Sequence, residues 1–353
     1  MLTKATVGGV TNHIIDLGEK IEAIDLESKI YIGCDENEAT NSLQQHFQTF
    51  ILDFFSKNPI KIIKTYNRLK KIIIDNNIDM IHCHYRIPAI YVKLLSNSTK
   101  IKYVWTNHLA PIPYDFFHRK TTFYGEKAIA ISKESQKFIV EKLRIPYEKT
   151  QIIYHGINLD NFDYNNRNQA YREKLGIDND SKVIVLLGRL EAVKGHRFLL
   201  DSVRNMDNII LVFTGSGNEE YKKELKSYID KIGCQDKVVF TGFVKPEEIL
   251  GIADVMVLPS VIEGFSISSI ESFAMKVPVI RTKTAGYEDM KDLCLGVDYG
   301  DTGMLRRAIE KAIDRNEMRP MIERAYLKVL KEWNIDTMAK KYLELYKGAK
   351  SNG

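Results

Sequence analysis

The chain has 353 residues and a mass of 40.6 kDa, more than twice the usual size of one domain, which predicts two domains and argues against a one-domain binding module. Apolar residues make up 44% and charged residues 27%, enough to bury two cores and too apolar for wholesale disorder. The net charge of +5 is modest, and no apolar run approaches the roughly 18 residues of a spanning helix. The N-terminus has no basic segment followed by a long apolar stretch and a small-residue cleavage site. The expectation is a cytoplasmic chain that does not cross a membrane.

From end to end, short β-branched runs alternate with amphipathic stretches of helical length, the pattern of βαβ units around buried parallel strands. In the first half the predicted strands are 29–32, 79–83, 102–106, 127–131 and 151–154. The second of these follows a basic stretch, Lys57, Lys61, Lys64, Arg68, Lys70 and Lys71, with no acidic residue between. Ile62, Tyr66, Leu69 and Ile73 recur there at helical spacing, so a helix with an apolar inner face and a basic outer face is expected. The basic face is read as solvated or as facing an anionic surface such as a membrane leaflet. Nucleic acid is not expected, because no zinc-finger, RNP-type or helix-turn-helix pattern accompanies the charge.

The polar segment 158–168 is the most linker-like in the chain and places the boundary of an N-terminal domain near residue 160. The alternation restarts with strands 183–187, 209–214, 237–241, 255–258 and 277–280, separated by helices near 196–205, 219–232, 246–252 and 265–275. Residues 318–346 read as two or more helices interrupted near Trp333 to Asp336, the last of them (about 335–353) a candidate to pack back on the first domain. The fold class is therefore α/β with two Rossmann-like sheets, and function is sought at the carboxyl ends of their strands, in a cleft between the domains.

Four cysteines, Cys34, Cys83, Cys234 and Cys294, lie far apart with no Cys-x-x-Cys spacing, so buried thiols are expected rather than a zinc site or a disulfide scaffold. The most informative segment is Ala253 to Pro278. There a buried strand ends at Pro259, a loop delivers Glu263, and Gly264 is expected to open a helix whose free N–H groups suit phosphate. Glu271 follows eight residues after Glu263, about 12 Å along a helix and about 80° around it if both lay on one. Two carboxylates so placed suit two separated hydroxyl-bearing groups of one ligand. Without context the same pair reads as a cap and a solvated side chain.

The context is a resemblance. Glu263-x7-Glu271 after a Pro-Ser loop, with Val277-Pro-Val-Ile and Thr284-Ala-Gly following, resembles the retaining GT-B glycosyltransferases of family 4. Upstream, Gly188-Arg-Leu-Glu-Ala-Val-Lys194-Gly195 resembles that family's phosphate loop, Gly215-Ser-Gly217 its next strand-end loop, and Val238 to Val244 the segment beside the base. In the first half Gly8-Gly9-Val10, Asp79-Met-Ile-His82-Cys-His84 and Thr106-Asn-His108 resemble its glycine loop and two strand ends. The likeness runs from about residue 8 to 300. It departs where only seven residues precede Gly8, and where His155, Asn158 and Ala285 replace the family's usual loop residues.

The resemblance implies a GT-B enzyme that moves a sugar from a nucleoside diphosphate, with a lean toward UDP-sugars, to a hydroxyl with retention of configuration. It implies no metal and no cofactor. Arg189 and Lys194 would hold the diphosphate, Glu271 the ribose hydroxyls, Glu263 the donor sugar, and the N–H groups near Gly264, Phe265 and Ser266 the phosphate and sugar. Gly215 and the main chain at Phe243 and Val244 would line the nucleotide, Gly9 would let backbone approach the phosphates, and His108 would reach the sugar near its anomeric carbon. The acceptor implied is a cell-surface glycan or lipid-linked glycan, as in polysaccharide biosynthesis, with the basic helix against the inner leaflet. Asp178-Asn-Asp180 superficially fits an Asp-x-Asp metal motif but is read as a turn. The alternatives are an isomerase like the UDP-N-acetylglucosamine 2-epimerases, or a non-catalytic nucleotide-sugar-binding partner. A nicotinamide oxidoreductase is disfavoured for want of a Gly-x-Gly-x-x-Gly turn with its distal acid.

Overall fold

A computed structural model describes residues 1–5, 9–108, 112–165 and 168–351. The chain divides into two compact units, Met1–His155 together with the segment from Ile335 onward, and Gly156–Asn334. Each is built on its own parallel sheet.

The first unit's strands are β1 (Leu2–Thr3), β2 (Tyr31–Cys34), β3 (Gln48–Ile51), β4 (Met80–Cys83), β5 (Lys102–Asn107), β6 (Ala128–Ala130) and β7 (Thr150–Ile152), in the order β3-β2-β1-β4-β5-β6-β7. β1 sits centrally, pairing Leu2 with both Gly33 and Cys83. Each described pairing is parallel. Every crossover therefore returns the chain over a face of the sheet, and helices cover both faces.

The basic helix spans Pro59–Asp75, capped by the Asn58 side chain on the N–H groups of Ile60 and Lys61, with proline at its first turn. Its inner face buries Thr65, Leu69 and Ile73, while Lys57, Lys61, Lys64, Arg68 and Lys71 lie exposed. Ile62, expected inside, is exposed, as are Ile60, Ile63 and Ile74. The final helix, Ile335–Ser351, packs on helix Gly9–Ile24 through Leu17, Ile21, Met338 and Tyr342. Two polar contacts fix its register: Tyr346 Oη on His82 Nδ1 at 2.7 Å, and Lys20 on Asp336 at 2.7 Å.

The second unit's strands are β8 (Lys182–Leu187), β9 (Ile209–Thr214), β10 (Val238–Gly242), β11 (Val255–Leu258), β12 (Val279–Thr282) and β13 (Leu295–Val297), in the order β10-β9-β8-β11-β12-β13 and again parallel. Its core joins Ile184, Leu186, Leu211, Phe213, Val255 and Val257 of the sheet to Leu199 and Val203 of helix His196–Val203 and Leu305 and Ile309 of helix Thr302–Ile313.

Several boundaries differ from the sequence expectation for identifiable reasons. β12 was expected at 277–280, but Pro278 has no N–H to give the ladder, and the strand instead runs on through Arg281 and Thr282. Arg281 is fully buried because its guanidinium is met by the Ala285 carbonyl at 2.8 Å and by Met290 Sδ at 3.2 Å. The expected helix at 265–275 spans Ile267–Ala274, with Ser266 as its cap accepting from the Ser269 N–H. Glu263 consequently lies in the preceding loop, and the on-helix distance to Glu271 does not apply. All four cysteines are free and buried. Asp178 to Asp180 form a turn whose carbonyls at Asp178 and Asn179 accept from Arg172. No described helix is long and apolar enough to cross a membrane.

Candidate active site

In each unit the strand order reverses beside the first strand of that unit, β1 next to β4 and β8 next to β11. Open parallel sheets bind ligands at such switch points, outside the carboxyl ends of the strands. The residues singled out in the sequence gather at these two points.

In the second unit β8 ends at Leu187 and the chain continues through Gly188 and Arg189 into a 3-10 turn, Ala192–Lys194, before helix His196–Val203. Gly195 joins turn to helix at φ +76°, and a Cβ there would sit 2.0 Å from the Pro259 carbonyl oxygen. Only glycine satisfies both conditions, and the result is that the loop after β8 lies against the loop after β11. The Val261 N–H donates to the Val193 carbonyl at 2.8 Å and ties the two loops together.

That contact brings Lys194 Nζ onto Glu263 Oε1, with the two side chains only 18% and 10% exposed. Ser260 Oγ donates to the same oxygen at 2.8 Å, and the Ser260 carbonyl accepts from Thr282 Oγ1 at 2.6 Å. The carboxylate is thus fixed by a cation and a hydroxyl, each anchored to a different strand. Arg189 is exposed, and its Nη1 lies 2.8 Å from Glu191 Oε1. A pair that open to water holds the guanidinium weakly, so it remains available to an anion.

Gly215 follows β9 at φ +137°, its Cα so near the Gly188 carbonyl that a Cβ would meet it at 2.2 Å. Its N–H donates to the Gly242 carbonyl at 2.8 Å, placing the ends of β8, β9 and β10 side by side. Beyond β10, Phe243 projects into solvent at 75% exposure and Val244 is half-buried. On the other side, Ser266 and Phe265 are buried, Phe265 edge-on to Trp333 at 5.3 Å, and Glu271 is half-buried on the second turn of its helix. Gly286 backs onto the Gly264 carbonyl, and Arg281 organises that loop through Ala285. Sequence reasoning missed Arg281 as a site support, since a charged residue ending an apolar strand gives no sign of being buried.

His196, which opens the helix after the β8 loop, is fully buried, and burial pushes its imidazole down to about 4. It is neutral at pH 7 and acts as a packing residue against Phe213 at a ring separation of 5.0 Å.

In the first unit, His84 follows β4, His108 follows β5, and Gly9 opens the helix after β1, exposed at its first position. Gly8, the neighbouring member of the glycine loop, lies outside the described residues. His108 and His84 share a hydrogen bond, Nε2 to Nδ1 at 2.8 Å, and His13 and His155 another, Nδ1 to Nδ1 at 3.0 Å. His82 bonds Thr106 Oγ1 at 2.7 Å through its Nε2. Burial holds His13, His82, His84 and His108 well below the usual imidazole range, and His155 down to about 4. His13 was not singled out in the sequence. A lone histidine four residues into a helix carries no signal until the fold brings the ends of β4 and β5 beside it.

The family model described as glycosyl transferases group 1 matches residues 167–328, and that described as glycosyltransferase family 4 matches residues 7–161. The chain belongs to the group 1 glycosyltransferases of GT-B fold. Among its relatives is the uncharacterized glycosyltransferase MJ1607 of Methanocaldococcus jannaschii, 28% identical over 229 residues, which are 59% of this chain and 58% of that protein. The chain thus spans somewhat more than half the length of that relative. Two solved structures share the fold. A glycosyltransferase from Rickettsia africae has a TM-score of 0.90 at 23% identity, covering 100% of this chain and 98% of that one. Anabaena HepE, solved in complex with UDP, has a TM-score of 0.86 at 18% identity, covering 98% of both chains.

Proposed function

We propose that this glycosyltransferase moves a sugar from a UDP-sugar to a hydroxyl of a glycan or lipid-linked glycan, retaining the anomeric configuration and using no metal or other cofactor. The observation that carries the reading is the convergence of Arg189, Lys194 and Glu263 on the loops after β8 and β11, the switch point of the second sheet. HepE, solved with UDP and with UDP-glucose, supports uridine as the base.

In this reading Arg189 and Lys194 bind the diphosphate, and their charge offsets the negative charge that grows on its leaving oxygen as the bond to the anomeric carbon breaks. Glu263, held by Lys194 and Ser260, accepts hydrogen bonds from hydroxyls of the donor sugar. Glu271 accepts those of the ribose, and the N–H groups of Phe265 and Ser266 add donors to the phosphates. Gly215, Phe243 and Val244 line the nucleotide. His108 reaches the sugar and the backbone at Gly9 the phosphates, the roles the family resemblance implies for them. The acceptor oxygen attacks from the face the phosphate leaves, the phosphate oxygen takes the acceptor proton, and the products are the retained glycoside and UDP. No carboxylate is asked to become a covalent nucleophile.

The acceptor class is argued from the surface of helix Pro59–Asp75. Exposed Ile60, Ile63 and Ile74 stand among exposed lysines, a combination that suits the interface of an anionic leaflet, where a lipid-linked glycan would be met. Product NMR after incubation with UDP-sugars and a glycan acceptor tests the reaction. A product of retained configuration supports it, an inverted product refutes the mechanism, and nucleotide binding without turnover favours a non-catalytic partner instead.

A further inference from the structure

The first unit's switch point carries a second feature, of which the proposed sugar transfer uses His108 alone. His13, His84 and His108 come from three different elements, all three are buried, and one ring nitrogen of each lies within 4.8 Å of the others. In each ring one nitrogen is engaged by another imidazole: His13 by His155, and His84 and His108 by each other. The remaining nitrogens, His13 Nε2, His84 Nε2 and His108 Nδ1, are buried with no hydrogen-bond partner among the described residues.

His84 Nδ1 and His108 Nε2 face each other at 2.8 Å with ring centroids 5.1 Å apart, so the open nitrogens of these two rings point away from each other, and the nitrogens that can meet on one ion are this facing pair and one of His13. The imidazoles are also held neutral by burial, the form that coordinates a metal.

We propose that His13, His84 and His108 form a binding site for one divalent transition-metal ion of the zinc, copper or cobalt class. Three imidazole nitrogens are the donor set of such ions and not of calcium or magnesium, which take oxygen ligands. Zinc–nitrogen bonds of about 2.0–2.1 Å need the nitrogens about 3.4 Å apart in a tetrahedron. His84 Nδ1 and His108 Nε2 stand 2.8 Å apart, so the ion takes the place of the proton they share with a small outward shift of two rings that both lie just past strand ends. His155 on His13 supplies the outer hydrogen bond that orients a metal-bound imidazole. The fourth position is open to water or a ligand hydroxyl. The ion is not a cofactor of transfer. If His108 serves the donor sugar, as in the proposed function on which this one consequence rests, occupancy withdraws it and inhibits the enzyme.

The test is titration of the untagged full chain with Co2+, followed by visible absorption and by metal analysis after gel filtration. One equivalent in a four-coordinate spectrum, displaced by Zn2+, is expected. His13→Ala and His84→Ala should each abolish that equivalent, His155→Ala should weaken it about ten- to a hundredfold, and replacing exposed His46 and His118 should leave it intact. Because the buried variants can fail to fold, the wild-type chain loaded with Cu2+ is read separately by pulsed EPR, where couplings to three imidazole nitrogens are expected. No bound ion, couplings to fewer than three imidazoles, or binding unchanged in His13→Ala and His84→Ala overturns the proposal. UDP binding measured on the same samples reports the donor site independently, so its absence beside an intact cobalt spectrum counts against the transferase reading alone.

Discussion

Lys194 and Glu263, 69 positions apart in the chain, meet in an ion pair at the carboxyl ends of two adjacent strands, and Ser260 Oγ shares the carboxylate at 2.8 Å. The pair joins the loop after β8 to the loop after β11 that carries the acidic motif, so the geometry of one is transmitted to the other.

Removing one member of a largely buried pair leaves the other charge uncompensated. Lys194→Ala is expected to cost about 3 kcal/mol of stability, seen as a lower urea midpoint. The double change Lys194→Met with Glu263→Gln should recover most of that loss without recovering nucleotide binding or turnover. If the double variant binds UDP as the wild type does, the pair is structural only.

Gly195 holds the same two loops together without a side chain. Gly195→Ala must place a methyl group against the Pro259 carbonyl at a φ of +76°. The backbone strain alone is about 1–2 kcal/mol, and the steric conflict adds to it. Denaturant unfolding should show the loss and calorimetry a weaker UDP affinity, whereas a neutral substitution would mean the loops are not so constrained.

His196 gives the second unit a pH dependence with a definite sign. Its folded-state value of about 4 lies below the value of 6.5 in the unfolded chain. Above pH 6.5 both states are neutral and stability is unaffected. As pH falls below 6.5 the unfolded state takes the proton first, so stability is lost down to about pH 4. Between pH 7 and pH 5 the wild type should lose about 2 kcal/mol more than His196→Gln. Parallel pH profiles for the two proteins would contradict this.

The exposed face of helix Pro59–Asp75 should bind anionic vesicles in a salt-dependent way. Each basic residue near such a surface contributes about 1 kcal/mol, so replacing Lys57, Lys64 and Arg68 with glutamine should weaken co-sedimentation on the order of a hundredfold. Serine at Ile60 and Ile63 should weaken it further, with little effect on stability, because both side chains are already exposed. Binding unchanged by these substitutions would remove the argument for a membrane-borne acceptor.

What was legible beforehand follows from where side-chain chemistry repeats. Strands buried on both faces, such as 183–187 and 255–258, announce themselves as continuous β-branched runs. β1 is two residues long, β3 begins on Gln48 at the sheet edge, and β13 has Gly296 at its centre. None of these carries the apolar run a buried strand shows. Glu263 is expected in a loop before a helix opened by Gly264, whereas the helix begins at Ile267 with Ser266 as its cap, and only the fold shows which residue starts it. The Lys194–Glu263 contact and the histidine cluster were not legible, because both depend on which strands become neighbours, and that is decided by crossovers rather than by local pattern.

The donor site in the second unit is the central claim, and calorimetric binding of UDP, GDP and ADP to the wild type, Arg189→Ala and Glu271→Ala tests it most directly. The account predicts that UDP binds the wild type more tightly than GDP or ADP, and that each substitution weakens UDP by about tenfold or more, the loss expected for one charge-assisted hydrogen bond. UDP binding left unchanged by both substitutions, or no nucleotide binding by the folded wild-type chain, would contradict it.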